Sequence, residues 1–471
     1  MDKYKKLGIN TLLIFIGNIG SKLIALIMLP LYTRWLSPEL FGVSDILNTY
    51  ATLLLSIITC SIAEALFVFP KGKNDNIKAS YFTTGCLFVL GMLVLAAIIF
   101  HTINIYSSAH TSFTDNIWML YLLLSTQILQ TLTQQFVRSI DKIKVYSITG
   151  FVTTLFTALF GFAFIPSYGL NGYIWSLSCA NIVGSLYSFI LSKSFRYIRL
   201  SEISIDRLRE MLSYSLPLVP SAVTWWVISA LNRPIMESYV SLHDIGVYAV
   251  ACKFPNLLNS MFVIFGLSWQ ISVLEEYGKQ DYPIFFNKAV RGVFSMVAIG
   301  VVLLSAFSKE IITIFASNDF FEAWVFVPFL TLGTLLGNLG SMFGTNFLAT
   351  KESKYMLYSS LWGSGVALIL NFVLIPKLGI WGAIISTVFS MLVIAITRIC
   401  YSWQFVKMTH ILNYIVILLI LLLFMTFYIL IDNFLYTTLA AAICILLISY
   451  FERDMIISVL KKNKYTSQFI K

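Results

Sequence analysis

Six ionisable residues lie inside long apolar stretches of the chain, where charged side chains are otherwise rare. They are Lys22, Asp45, Glu64, Arg233, Glu237 and Lys253. Because a charge is costly in the hydrocarbon of a bilayer, such residues usually face a partner or a water-filled cavity and often serve in transport. The lysines favour an anionic ligand, whereas the carboxylates suit a proton or a cation. A structural pairing between helices is the alternative, and for Lys22 and Lys253 we favour the functional role.

Polar residues accompany several of these charges at helical spacing. Three faces show the pattern: Asp45, Thr49, Thr52 and Ser56; Lys253, Asn256 and Ser260; and Asn18 with Lys22. Residues spaced by three or four lie on one side of a helix, so each set forms a polar stripe. A stripe of this kind suits a polar cavity. Single Asn and Thr side chains more often hold neighbouring membrane helices together by hydrogen bonds.

A second polar stripe consists of glutamines. Gln127, Gln130, Gln134 and Arg138 follow one another at i, i+3, i+7 and i+11. Amide side chains offer both donors and acceptors, which suits the hydroxyl groups of sugars. A polar seam between two helices explains the same pattern equally well.

The composition predicts an all-α polytopic membrane protein. Hydrophobic residues make up 58% of the chain and charged residues only 11%, and the mean hydropathy is +0.84. Apolar windows of the length that spans a bilayer give about fourteen transmembrane helices. With the amino terminus in the cytoplasm, 26 of the 32 lysines and arginines fall in inner loops and four in outer loops. The positive-inside rule therefore predicts that both termini are cytoplasmic.

The chain also contains an internal repeat. Residues 164–176 and 374–386 share six of thirteen positions, at an offset of 210, and each copy joins two apolar runs as a tight helical hairpin. Such repeats are typical of transporters. We therefore predict two pseudo-symmetric six-helix lobes and two additional helices. The expected boundaries are 1–192 for the first lobe, 193–210 for a basic cytoplasmic linker, 211–403 for the second lobe, and 404–471 for two helices with a basic tail.

Catalytic and cofactor motifs are absent from the sequence. It has no G-x-x-x-x-G-K-[ST], no H-E-x-x-H, no G-x-S-x-G and no acidic cluster with metal spacing. The six cysteines lie in apolar runs without a C-x-x-C pair. We therefore expect no enzyme activity, no cofactor and no metal. The basic residues lie in short loops, so nucleic-acid binding is not expected either.

Residues 30–42 read PLYTRWLSPELFG. This run resembles the opening of the lipid-linked oligosaccharide flippases, the Wzx-type polysaccharide transporters of the multidrug/oligosaccharidyl-lipid/polysaccharide (MOP) exporter superfamily. The two I-P-x-x-G-x-x-G turns resemble the same family, and the resemblance covers essentially the whole chain. It implies two six-helix bundles forming a V around a central cavity. The second half departs from the opening motif, with Leu242-His243-Asp244 in place of Pro38-Glu39-Leu40.

The resemblance also implies a substrate and a site. The substrate would be an undecaprenyl-diphosphate-linked oligosaccharide, moved from the cytoplasmic to the outer leaflet and driven by a proton or sodium ion gradient. The diphosphate needs compensating cations, for which Lys22, Arg34, Arg233 and Lys253 are available. The candidate glycan and substrate contacts are Asn18, Gln127, Gln130 and Gln134. Asp45 or Glu64 would bind the coupling ion, although both could equally be salt-bridge partners.

Other functions stay open at this point. A drug/cation antiporter of the same superfamily would need an acidic or aromatic cavity, and a lipid II flippase would share the fold. A polymerase or ligase of the same glycans would need a larger outer loop than the chain has. As a flippase in the bacterial inner (cytoplasmic) membrane, the protein would serve O-antigen, capsule or exopolysaccharide synthesis. Its partners would be membrane lipids, a polysaccharide polymerase and chain-length proteins.

Overall fold

The computed structural model describes residues 20–431 and 433–453. Within these ranges the regular structure consists of α-helices and short 3₁₀ segments, and no strand is present. The chain divides into two compact units. The first unit comprises Met1–Gly246 with Phe315–Asp319, and the second comprises Val247–Ile314 with Phe320–Lys471. The lobe boundaries given above stay a prediction.

The first unit contains ten helices within its described residues. They are α1 (20–35), α2 (Pro38–Ile58), α3 (Ile62–Val68), α4 (Asp75–Tyr106), α5 (Ser112–Asp115), α6 (Ile117–Ser139), α7 (Ile143–Leu191), α8 (Ile205–Ser215), α9 (Leu218–Ser229) and α10 (Asn232–Glu237). Its apolar core includes Leu47, Leu66 and Leu124, all fully buried. The segment 315–319 joins this unit because Ser317 Oγ donates a hydrogen bond to the carbonyl oxygen of Thr33 at 2.7 Å.

The second unit contains the remaining helices. They are α12 (Lys253–Glu276), α13 (Tyr282–Ala306), α14 (Ser308–Phe315), α15 (Val327–Ala349), α16 (Lys354–Leu378), α17 (Ile380–Ser402), α18 (Ile411–Leu430) and α19 (Phe434–Phe451). Helix α11 (Leu242–Ala251) crosses the boundary between the units. The core of the second unit brings α13, α15 and α18 together around residues such as Phe286, Phe343 and Ile417.

The repeated motif forms a tight helical hairpin in each half, as predicted. Helix α7 reverses direction at Gly169, whose φ of 53° and ψ of −125° are non-helical. Gly379, between α16 and α17, has nearly the same angles, 55° and −128°. Because a side chain at Cβ disfavours this region of φ, glycine is the residue that allows the reversal. The two arms of α7, 143–168 and 170–191, therefore run antiparallel.

The fold class predicted from the sequence is confirmed. Eleven helical segments in the described part of the chain are long and apolar enough to cross a membrane. One of them, Ile143–Leu191, contains both arms of a hairpin, and two, Ile205–Ser229 and Leu242–Glu276, each join two of the helices numbered above. The number of fourteen transmembrane helices is compatible with this set and stays a prediction.

Apolar runs at 41–68 and at 212–236 each predict one continuous helix, but the structure breaks both. The helix expected at 41–68 stops at Ile58, because Cys60 and Ser61 adopt left-handed backbone conformations with φ of 50° and 52°. The helix expected at 212–236 is divided into α8, α9 and α10. Pro217 follows the end of α8, since a proline cannot donate the hydrogen bond that would continue the helix.

Three prolines that lie inside apolar runs of the sequence mark helix starts instead of kinks. Pro220, Pro234 and Pro255 are each the third residue of their helix, in α9, α10 and α12. The first four amide groups of any helix lack an intrahelical acceptor, so a proline there removes no hydrogen bond. These prolines therefore mark the positions at which a new helix begins.

Candidate functional site

Helix α2 carries the polar stripe predicted from the sequence. Ser37 precedes the helix in an extended conformation and caps it, and Pro38 occupies the first turn. Both residues fix where the helix starts and thereby set which side its later residues occupy. Helix α2 packs against α9 and α10 in the first unit. Its carboxylate at Asp45 meets a cation on that side.

Asp45 and Arg233 form an ion pair between α2 and α10. Arg233 Nε donates to Asp45 Oδ2 at 3.0 Å, and the side chains are only 12% exposed for Arg233 and 17% for Asp45. Arg233 Nη1 also donates to the carbonyl oxygen of Ser229 at 2.8 Å and to Asn232 Oδ1 at 2.9 Å. Opposite charges attract more strongly where water is largely excluded. The structure thus joins two of the residues that the sequence assigned to separate roles.

A hydrogen bond from Trp226 adds a second link between α2 and the broken helices. Trp226 Nε1 on α9 donates to the carbonyl oxygen of Thr49 at 2.9 Å. Thr52 Oγ1 donates to the same carbonyl oxygen at 2.8 Å. Trp226 therefore ties α9 to the backbone of α2, whereas the Thr52 hydroxyl bonds within its own helix.

Glu237 links the end of α10 to the start of α5. Its Oε1 accepts a short hydrogen bond from the amide of Ser112, the first residue of α5. The first amide groups of a helix have no acceptor within the helix, so a carboxylate there satisfies one of these donors. Glu237 therefore has a structural partner.

Glu64 borders a separate cavity of about 270 Å³ in the first unit. The break between α2 and α3 supplies one wall, with hydroxyl groups at Thr59 and Ser61, and Ser221 of α9 lies opposite. Glu64 is exposed, and its Oε1 accepts a hydrogen bond from Gln135 Nε2 at 3.2 Å. The carboxylate and the surrounding hydroxyl oxygens are groups that can bind a small cation.

The glutamine stripe of α6 divides into two kinds of environment. Gln130 Nε2 donates to Thr153 Oγ1 of α7 at 2.5 Å, so this residue belongs to a seam between helices. Gln127 and Gln134 are partly exposed on the same helix. Gly184 lies so close to Thr153 that a Cβ there would be 2.1 Å from its hydroxyl oxygen, which shows how tightly the seam is packed.

The other cations predicted for the site lie on helices other than α2 and α10. Lys22 is exposed on α1, and Arg34 is exposed at the end of the same helix. Lys253 is the first residue of α12, in the second unit, and is partly buried. Asn18 lies outside the described residues. The structure therefore brings together Asp45 and Arg233 among the predicted site residues.

Among the basic residues that the sequence count places in inner loops, Arg398 lies on α17 and is fully buried. Its Nε donates to Ser359 Oγ of α16 at 3.1 Å. The small residues Ser359 and Gly344 leave the space that the guanidinium fills.

Sequence reasoning missed Asn232, which supports the ion pair, and Trp226, which forms the second link between α2 and α9. Trp226 was indistinguishable from other aromatic residues in an apolar run, and Asn232 precedes Arg233 without any motif. The available signal was Pro234, because a proline directly after two polar residues inside an apolar run indicates a helix start. Among the described residues, no group of three or more His, Cys, Asp or Glu side chains could hold a metal ion.

Comparison with known proteins connects this geometry to a family. The chain is similar to the capsular polysaccharide biosynthesis protein CapF of Staphylococcus aureus, with 22% identity over 398 residues, which cover 81% of this chain and 96% of that protein. It is also similar to an uncharacterized transporter, YisQ, of Bacillus subtilis, with 21% identity over 379 residues, or 73% of this chain and 82% of that protein.

Two solved structures have the same fold. The lipid II flippase MurJ, in an inward closed conformation, superposes with a TM-score of 0.74 and 17% identity, over 95% of this chain and 99% of that one. An inward-facing multidrug resistance MATE family transporter of the MOP superfamily gives a TM-score of 0.62 and 14% identity, over 83% and 94%. Both structures are transporters rather than enzymes, and the fold is that of the MOP superfamily. The polysaccharide biosynthesis protein family (Polysacc_synt) matches residues 7–269, more than half of the chain, and the chain belongs to this family.

Proposed function

We propose that this chain is a flippase for undecaprenyl-diphosphate-linked oligosaccharide repeat units. It acts in the bacterial inner membrane, with both termini cytoplasmic, and serves the synthesis of a surface polysaccharide. The observation that carries the proposal is the Asp45–Arg233 pair, a guanidinium held between apolar helices in a member of a polysaccharide biosynthesis family. The MOP-type fold supports a transport role by alternating access.

The chemistry of the head group explains the need for such an arginine. A diphosphate carries negative charge that cannot enter low-dielectric surroundings without compensating cations. A guanidinium is always protonated and matches the geometry of phosphate oxygens through two parallel hydrogen bonds. In this proposal Arg233 binds the diphosphate, and Lys22, Arg34 and Lys253 stay the further cations that the sequence suggests.

The carboxylate of Asp45 provides a route to ion coupling. While Asp45 is ionised, it holds Arg233 in an ion pair at 3.0 Å. Protonation of Asp45, or cation binding to it, weakens that pair and leaves Arg233 available to the diphosphate. Substrate and coupling ion then act on the same helix pair, so the binding of one changes the affinity for the other. Glu64, in its cavity, is the second candidate for the coupling proton or sodium ion.

The glycan would be bound by amide side chains. Gln127 and Gln134 are partly exposed on α6 and offer donors and acceptors to sugar hydroxyls. Gln130 is engaged with Thr153 and would position the helix rather than the sugar. Asn18 stays a candidate substrate contact on the sequence alone.

A lipid II flippase is the second candidate. The similarity to MurJ favours it, because its fold match covers 95% of this chain. The matches to CapF and to the polysaccharide family favour the oligosaccharide substrate. A drug/cation antiporter, as the MATE likeness would suggest, fits the arginine less well because a cationic cargo is repelled by it. Polysaccharide polymerase and chain-length proteins are the proposed partners.

The test uses a bacterial strain that lacks its own flippase and accumulates the undecaprenyl-diphosphate intermediate. Wild type and the Arg233→Ala, Asp45→Asn and Arg196→Ala variants are expressed at equal membrane levels. Arg196 is an exposed arginine in the segment between α7 and α8, so its loss controls for removal of a positive charge. We expect surface glycan with wild type and Arg196→Ala, and trapped intermediate with Arg233→Ala. Failure of wild type to move any lipid-linked sugar would favour the antiporter, and full activity of Arg233→Ala would refute its assigned role.

A further inference from the structure

The second unit has a cavity of about 770 Å³ that the proposed transport path does not use. It lies where the first turns of α13 meet the segment 403–410 between α17 and α18. Positively charged side chains are prominent in its lining, which includes Lys288, Arg291 and Lys407 but no aspartate or glutamate. By the distribution of basic residues, these helix ends are on the cytoplasmic side.

The wall of this cavity is held in place by one buried side chain. Asn287 Nδ2 donates to the carbonyl oxygen of Lys407 at 3.0 Å, and Asn287 Oδ1 accepts from the amide of Thr409 at 2.8 Å. The same Nδ2 also contacts the carbonyl oxygen of Pro283 at 2.9 Å, within α13. The segment 403–410 is thus fixed to α13, and the cavity is a built feature of the unit.

The charges around the cavity differ in their partners. Arg291 is paired with Glu452, whose Oε2 lies 2.7 Å from Nη2, and both side chains are largely buried. Lys288 and Lys407 are exposed, and neither forms an ion pair within residues 20–431 and 433–453. Helices α13 and α18 also begin beside the cavity, and the N-terminus of neither helix has a side-chain capping hydrogen bond. Two lysines and two helix N-termini therefore create a positive potential at one place.

Apolar side chains adjoin this positive site. Ile284, on the cavity wall, is 73% exposed, and Leu412, two residues beyond the cavity-lining His410, is 71% exposed. Trp403 also lines the cavity and is exposed, as is typical of aromatic residues at a membrane interface. A ligand with a negative head and an apolar tail satisfies both parts, whereas a free phosphate would use only the positive part.

We propose that this cavity binds the phosphate head group of an anionic glycerophospholipid from the inner leaflet. Lys288 and Lys407 contact the phosphate, Asn287 keeps the cavity in shape, and the acyl chains lie along Ile284 and Leu412. The cavity shares no lining residue with the proposed substrate and ion contacts, so the site is separate from the glycan substrate. It would anchor the cytoplasmic ends of α13 and α18 to the lipid surface.

Native mass spectrometry of the purified full chain tests this proposal, with phosphatidylglycerol as the probe. The variants are Lys288→Gln/Lys407→Gln and, as a matched control, Lys279→Gln/Lys354→Gln, which removes two exposed lysines outside the cavity. We expect the cavity variant to lose about fivefold in affinity per lysine, roughly 25-fold in total, because each basic side chain near anionic lipid contributes a similar amount. The control variant and Lys288→Arg/Lys407→Arg should bind as wild type does.

Two further ligands separate the possible sources of phosphate. Phosphatidylcholine should bind weakly to wild type, and inorganic diphosphate should fail to displace phosphatidylglycerol. Equal affinity of wild type and the Lys288→Gln/Lys407→Gln variant for phosphatidylglycerol would overturn the proposal. Binding of diphosphate that depends on the two lysines, without lysine-dependent lipid binding, would overturn the lipid assignment in favour of a soluble phosphate. Size-exclusion profiles show whether the glutamine variant is misfolded. If it is, the binding of phosphatidylglycerol to Lys288→Arg/Lys407→Arg decides whether positive charge at the two positions is what matters.

Discussion

Gly172 and Gly382 make the same backbone contact in the two hairpins. A Cβ on Gly172 would lie 2.3 Å from the carbonyl oxygen of Phe164, and a Cβ on Gly382 would lie 2.5 Å from that of Leu374. Real Cβ atoms do not approach so closely, and the neighbour in each case is backbone. The chain reverses at Gly169 in the first hairpin and at Gly379 in the second. In each hairpin the two arms touch at the glycine three residues later. The internal repeat therefore extends from sequence to backbone geometry.

We expect Gly172→Ala and Gly382→Ala each to destabilise the protein. The added methyl group would force the arms apart at a point where backbone cannot move aside, at a cost of about 1–3 kcal/mol or more. Thermal unfolding in detergent, followed by size-exclusion chromatography, measures the effect. Gly91→Ala on α4 and Gly365→Ala on α16 are matched controls, because nothing lies within 4 Å of a Cβ at either position. Equal losses in all four variants would contradict the backbone explanation.

The Asp45–Arg233 pair should show strong coupling in a double-mutant cycle. Removing either side chain alone, as Asp45→Ala or Arg233→Ala, leaves its partner with an uncompensated charge and should cost about 2–4 kcal/mol, somewhat less than for a fully buried pair. The double variant should lose clearly less than the sum of the two. The apparent free energy of unfolding in mixed micelles provides the values. Additive losses would mean that the two residues act independently.

Asn287→Ala should loosen the segment between α17 and α18. The substitution leaves the carbonyl oxygen of Lys407 and the amide of Thr409 without this partner, and each lost hydrogen bond at these partly buried groups costs about 0.5–1.5 kcal/mol. We expect faster tryptic cleavage after Lys407 and weaker binding of anionic lipid. Gln404→Ala, in the same segment, is the control because Gln404 is exposed. Unchanged cleavage in Asn287→Ala would show that other contacts hold the segment.

Glu452→Gln should detach the end of α19 from α13. Arg291 donates to Glu452 Oε2 through Nε at 3.0 Å and approaches it with Nη2 at 2.7 Å, and the side chains are 11% and 3% exposed. Replacing the carboxylate by an amide leaves Arg291 buried without an opposite charge, which should cost about 3 kcal/mol or more. Melting temperature in detergent reports the change. Glu322→Gln, at an exposed site, should leave it unaltered.

The helices and the hairpins could be predicted because each depends on local sequence. Hydropathy places the apolar runs, and the I-P-x-x-G-x-x-G turn specifies a reversal at its first glycine, as Gly169 and Gly379 show. The breaks were harder to predict. Cys60 and Ser61 adopt left-handed conformations without a glycine or proline to indicate it, so packing around α3 determines that break.

The partner of each charge could not be predicted. Asp45 and Arg233 are 188 residues apart, and their meeting depends on how α2 and α10 are rotated about their axes. Hydropathy determines where a helix lies along the sequence but hardly its rotation against a neighbour. Arg398 illustrates the same limit, since a residue near a helix end can point into the protein when small side chains leave space.

The division of one apolar stretch into α8, α9 and α10 determines what must surround the backbone at the two breaks. A candidate span, Ile205–Ser229, is interrupted between α8 and α9, and a second interruption precedes Arg233. At each interruption some amide and carbonyl groups lose their helical partners, and hydrocarbon cannot hydrogen-bond to them. Such backbone is stable in a membrane only against protein or against water. The stretch that carries Arg233 must therefore be hydrated or enclosed by protein, and a hydrated route is what a diphosphate head group needs in order to reach that arginine.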